Sequence, residues 1–205
     1  MDSFNCLRSR EGKFSIDDHM KRQVHLSKSI RTLLVDWILE IQETFKLSHE
    51  ILYVTVMLVD VFLCEVVTNK DKMQLLGAPA LLTASKFHEK CNLRTIGYDV
   101  GVLLSYCCLQ RYAACGEIAV SALTLARYIL ELFLMDYDTI TFSYSTTGAA
   151  ALFVTSRMVG EKLGWNIKIA YFAEIVTMLN KALDRKLEDG MKTIRNKIQI
   201  KNFIS

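Results

Sequence analysis

The sequence predicts an all-α protein built from two tandem helical repeats. Three observations carry this. Apolar residues recur at helical spacing along most of the chain, strand-like alternation is nearly absent, and one part of the pattern returns after a shift of 71 residues. One proline and nine glycines leave few breaks between helices.

The first helix lies in KSIRTLLVDWILEIQETF. Its apolar positions Ile30, Leu33, Leu34, Trp37, Ile38, Ile41 and Phe45 form a single stripe. Ser27 or Ser29 is placed to cap its start, since a serine hydroxyl accepts from an unpaired first-turn N–H. Ser48 with Glu50 opens a second helix through Ile51, Val54, Leu58, Val61 and Phe62. A third is expected from about Asp71 to Lys90, a fourth from about Ile118 to Met135, and a fifth from about Tyr144 to Leu163. A sixth is expected from about Ile167 to Glu188, ended by Gly190, with a short helix over Met191 to Lys201.

The third and fifth helices, LLGAPALLTASKF and TTGAAALFVTSRM, are small and apolar on most faces. Each is expected at the centre of its own bundle, where alanine and glycine let neighbours approach. Pro79 stands inside the third, where it removes a backbone donor. Either the helix kinks there or it effectively starts near Gly77.

The repeat is read without reference to any other chain. Gly77-Ala-Pro-Ala-Leu81 falls on Gly148-Ala-Ala-Ala-Leu152, Ser85-Lys86 on Ser156-Arg157, and Asp60-Val-Phe-Leu63 on Glu131-Leu-Phe-Leu134, with no gap. A unit this long exceeds a solenoid repeat and indicates two copies of a small helical domain. The chain divides into an N-terminal segment (1–26), a first repeat (27–104) and a second (105–205).

Composition narrows the function. The net charge is +3, from 25 basic and 22 acidic residues, which is too balanced for a nucleic-acid surface. Asp60, Glu65 and Glu131 interrupt the best apolar runs, so no membrane span is expected. MDSFNCLRSR lacks the basic-then-apolar order of a secretory signal, and a nuclear or cytoplasmic location is expected. The six cysteines form no C-x-x-C pair and are expected as free thiols.

No G-x-S-x-G, phosphate-binding glycine loop or H-E-x-x-H occurs, so no enzyme of its own is expected. His88 and Cys91 have H-x-x-C spacing, but the remaining zinc ligands would have to come from Cys107, Cys108 and Cys115. Adjacent cysteines match no standard ligand spacing. No metal and no cofactor are expected, with His88 at an exposed helix end.

The first helix carries more. IRTLLVDWILEI resembles the signature helix of the cyclins, usually M-R-A-I-L-V-D-W-L-V-E-V. LSHEILYVTVMLVDVFL looks like that family's second helix, and KMQLLGAPALLTASKFHEK like its third. LSYCCLQRYAACG and LTLARYILELFLMDYD resemble the start of its second repeat, and SREGKFSIDDHMKRQVHLSKSI the segment entering the first. The wording is most similar to mitotic B-type cyclins, particularly the divergent third subtype.

The resemblance implies a cyclin fold and a regulatory subunit that binds and activates a cyclin-dependent protein kinase at the G2/M transition. Lys86, Phe87 and Tyr98 then match kinase-contacting positions. Ile30, Leu33, Leu34, Trp37, Glu40 and Gln74 match the groove that docks R-x-L substrates and inhibitors. Arg31 and Asp60 match an internal salt link between the first two helices.

The chain departs from the family between KFHEK and LRTIGYDVG, where the family's fourth helix and most of its fifth are missing. The fifth normally carries a glutamate that partners the lysine against the kinase, and no residue here matches it. Apolar residues that helix would cover are expected to be exposed. A second reading follows, in which the chain is a cyclin-fold adaptor that docks R-x-L proteins without activating a kinase. A cyclin-fold transcription factor would need a basic face and usually a zinc ribbon, and the sequence has neither.

Overall fold

A computed structural model describes residues 11–14, 16–92 and 103–160, together with the single positions 9 and 177. Among these residues the regular structure is helical. Six α-helices follow in order: α1 (Lys28–Thr44), α2 (His49–Glu65), α3 (Met73–Asn92), α4 (Ser105–Cys115), α5 (Val120–Met135) and α6 (Tyr144–Val159). Three short 3-10 turns, His19–Lys21, Lys70–Lys72 and Tyr137–Thr139, lead into α1 and α3 or link α5 to α6, and a fourth lies at Glu11–Phe14.

Local chemistry sets the boundaries. Ser27, Ser48 and Ser143 cap α1, α2 and α6, each hydroxyl accepting from the N–H three residues on. Of the two serines expected at the first helix, Ser27 is the cap. Gly160 ends α6 in the left-handed region at φ 75°, a conformation that glycine adopts without steric cost. That stop falls four residues before the expected end at Leu163. α5 starts at Val120 rather than Ile118, because Glu117 turns the chain at φ 50°. The short α4 was not anticipated as a separate helix. The helices expected over 167–188 and 191–201, and Cys6, Cys91 and Tyr98, lie outside the described residues or side chains.

α3 begins at Met73 and continues as one helix past Pro79, so a start near Gly77 is ruled out. The ring is tolerated because Pro79 sits on an exposed face. The carbonyl of Leu75, deprived of its donor, belongs to a residue that is 71% exposed and can be met by water.

The internal repeat is visible in the packing. Shifted by 71 residues, the first residues of α2 and α3 fall on the first residues of α5 and α6, and the last residue of α1 falls on the last of α4. A Cβ on Gly77 would meet Leu34 at 2.9 Å and Trp37 at 3.1 Å; one on Gly148 would meet Ser105 at 2.8 Å and Cys108 at 3.1 Å. Ser105 and Cys108 lie 71 positions after Leu34 and Trp37. In both repeats, therefore, the third helix crosses the first at a glycine, at the same register. One apolar core runs through both, with Ile38, Leu52, Leu63, Leu109, Ile129, Phe133 and Leu152 fully enclosed.

The N-terminal segment straps the repeats together. The Gln23 side-chain amide donates to the carbonyls of Leu63 and Val66, while its oxygen accepts from the Thr68 N–H. Tyr137 accepts from the Met20 N–H and donates to Asp18. The Glu11 carboxylate accepts from both the N–H and the hydroxyl of Ser145 in the first turn of α6, where the helix dipole favours a negative charge.

Candidate functional site

The two implied sites lie on α1 and α3. On α1, Leu33 is 63% exposed, Glu40 is exposed, and Ile30 and Trp37 are half-buried. These positions are spaced three and four apart, so they share one face. Leu34 is turned inward and buried, and supports the face from beneath. Trp37 rests against Gly77 of α3, and Gln74, one turn earlier on α3, is exposed. The crossing at Gly77 thus lays an apolar shelf of Leu33 and Trp37 beside the carboxylate of Glu40. Such a surface can hold a leucine and an arginine of an extended segment.

Near the other end of α3, Lys86 is exposed and Phe87 is half-buried. Its exposed ammonium can reach carbonyls or carboxylates of a partner. Tyr98, grouped with these two by sequence, lies outside the described residues. His88, expected at an exposed helix end, is instead half-buried, with its Nε2 3.4 Å from Glu50 of α2. Among the described residues no three His, Cys, Asp or Glu side chains gather as metal ligands.

α3 does not meet the expectation of a fully buried central helix. Leu75 and Leu82 are 71% and 59% exposed, and Ala78, Pro79 and Thr83 are exposed with them. At the matching places of α6, Ala149, Ala150 and Val154 are buried. The second repeat encloses its central helix on a side that the first leaves open.

Arg31 and Asp60 meet as a two-pronged pair, with Nε and Nη2 each 2.7 Å from a carboxylate oxygen. Both side chains are buried. Arg31 also donates to the Leu134 carbonyl in the last turn of α5 at 3.0 Å, and Thr32 donates to the Met135 carbonyl at 3.0 Å. The pair therefore joins α1 to α2 and to the second repeat, an arm that the sequence pattern did not reveal. Burial opposes the charge on Arg31, but Asp60 outweighs it and holds the guanidinium pKa above its ordinary value.

Sequence reasoning also missed a buried histidine here. His19 stands with Nε2 4.0 Å from Asp60 and its ring edge-on to Tyr137. Burial lowers its pKa, partly countered by Asp60. The second repeat has a counterpart. Glu131, 71 positions after Asp60, is buried and lies 3.4 Å from Nδ1 of His49. His49 stacks on Tyr106, and Tyr106 on Tyr53, at ring separations of 5.2 and 5.7 Å. The coincidence of Asp60 and Glu131 in the repeat was the available signal for a second buried carboxylate.

Comparison with known proteins covers nearly the whole chain. Residues 2–98 match the cyclin N-terminal domain and residues 103–204 the cyclin C-terminal domain. A G2/mitotic-specific cyclin-B3 of Drosophila melanogaster is 46% identical over 242 aligned positions, covering 99% of this chain and 42% of that protein. The Gallus gallus protein of the same name is 34% identical, covering 98% of this chain and 58% of its own length. This chain thus spans less than two thirds of either relative. The X-ray structure of a viral cyclin from herpesvirus saimiri superposes with a TM-score of 0.63 at 18% identity, covering 95% of this chain and 96% of that one. At that identity the likeness speaks for the fold.

Proposed function

Because the chain belongs to the cyclin family, we propose that it is the regulatory subunit of a cyclin-dependent protein kinase acting at the G2/M transition, in the nucleus and/or the cytoplasm. It contributes no catalytic residue of its own. Lys86 and Phe87 meet the kinase, and the shelf of Ile30, Leu33, Trp37, Glu40 and Gln74 over Leu34 holds R-x-L segments of substrates or inhibitors. The observation that carries this reading is the pairing of both cyclin domains with an exposed Lys86 and an exposed α1 shelf.

A second reading has one observation in its favour. The alignment with the fly relative runs over 242 positions, against a chain of 205 residues, so that relative carries residues with no counterpart here. Together with the open side of α3, this supports an adaptor that keeps the docking shelf and activates a kinase weakly or not at all. Co-expression with a mitotic cyclin-dependent kinase separates the two. A stable complex that phosphorylates histone supports the activator. A chain that binds R-x-L peptides, yet neither retains nor activates the kinase, supports the adaptor. Loss of both activities overturns both.

A further inference from the structure

The open face of α3 is symmetric in its chemistry. Along it run Asp71, Leu75, Ala78, Pro79, Leu82 and Lys86, each exposed. Asp71 sits in the 3-10 turn that leads directly into the helix, and the others sit on the helix. About the Ala78–Pro79 bond the stripe reads alike in both directions. Small faces small at the centre, leucine faces leucine further out, and an acid at one end answers a base at the other. Gln74 and Thr83, both exposed and polar, also match across this centre. No charged residue lies between Lys72 and Lys86.

We propose that this face binds a second copy of the chain, with the two α3 helices antiparallel about a two-fold axis at the Ala78–Pro79 bond. A two-fold contact requires a self-complementary patch. In the antiparallel arrangement Asp71 of each copy faces Lys86 of the other, while Leu75 meets Leu82. A parallel arrangement would instead set Lys86 against Lys86. Ala78 and Pro79, with little side chain at the centre, let the helix axes approach closely. The stripe from Asp71 to Lys86 is 16 residues, about 24 Å at helical rise. One helix pair of that length buries an area at the low end of specific interfaces. A reversible dimer follows rather than an obligate one. The dimer would cover Lys86, so this face cannot serve a second copy and a kinase together.

The test uses the whole 205-residue chain alone, so it does not depend on whether the kinase assignment holds. Sedimentation velocity is run from about 1 to about 100 µM, the range of weak specific association. The expected result is a monomer–dimer equilibrium that Leu82→Glu shifts by at least tenfold toward monomer, with the helical circular-dichroism signal retained. Asp71→Lys and Lys86→Asp each weaken the dimer, and the double exchange restores it. This charge pair keeps the test decisive should Leu82→Glu fail to fold. A monomer at every concentration, open-ended polymers, or a dimer indifferent to the charge exchange would overturn the proposal.

Discussion

Arg31 grips Asp60 through two hydrogen bonds of 2.7 Å, and both residues are about 2% exposed. Removing one partner leaves the other's charge buried and unpaired. Arg31→Ala is therefore expected to destabilise the chain by about 3–5 kcal/mol, whereas replacing both residues with apolar ones of similar volume costs less. Urea unfolding of the single and double variants measures the difference. Equal stability of Arg31→Ala and wild type would remove the pair from any structural role.

The two crossing glycines should respond differently to alanine. At Gly148 the new methyl would sit 2.8 Å from the Ser105 backbone oxygen, which can move only with its helix; at Gly77 it would meet the tip of Leu34 at 2.9 Å, which can rotate away. Overpacking against backbone costs about 1–3 kcal/mol. The gain in helix propensity recovers up to about 1 kcal/mol. Gly148→Ala should lower the thermal midpoint clearly, while Gly77→Ala stays near wild type. The reverse order would show that the crossings are not packed as described.

His19 should make the fold sensitive to mild acid. Its pKa is lowered in the folded chain because burial disfavours the charged ring. The unfolded chain therefore binds the proton more readily, and stability present above the unfolded pKa of about 6.5 declines as pH falls from there toward the folded value. The decline from this group is at most about 1.4 kcal/mol per pH unit. Urea midpoints for wild type and His19→Gln between pH 7.5 and 5, a window spanning the unfolded value, give the comparison. The variant's profile should be the flatter one, and parallel profiles would assign the acid response to other groups.

On the α1 shelf, Leu33→Glu changes a side chain that is 63% exposed, so it should leave the fold intact. Affinity for an R-x-L peptide should fall by about tenfold or more, since an apolar contact is replaced by an unmatched charge. Fluorescence anisotropy with a labelled peptide reads this directly. Undiminished affinity would place the docking site elsewhere.

Much of the architecture was legible because the repeat and the helical stripes are strong local signals. The starts of α1 and α2 were marked by the serine pair Ser27 and Ser29 and by Ser48, since a capping hydroxyl acts within one turn. The ends were harder. Gly160 and Glu117 stop or turn the chain through backbone conformation, which no side-chain periodicity announces. The Arg31–Asp60 contact followed from a family pattern, but its reach to Leu134 depends on how the repeats dock. His19 and Glu131 were hidden for the same reason. A buried titratable residue looks like a surface one until its neighbours, distant in sequence, are known. For α3 two expectations competed. Its composition is that of a core helix, while the departure after KFHEK pointed to exposed apolar residues, and one side does lie open, because enclosure depends on what else the chain supplies.

The strap at the N-terminal end sets an order of assembly. The contact of Glu11 with Ser145 spans 134 residues of chain, and that of Met20 with Tyr137 spans 117. During synthesis neither can form until the chain has emerged through α5 and, for Glu11, into α6, although Gln23 can already settle on the end of α2. Closing such distant contacts is slow relative to forming helices. The strap, made before either repeat, is thus among the last parts to lock, and its closure reports that both repeats have docked.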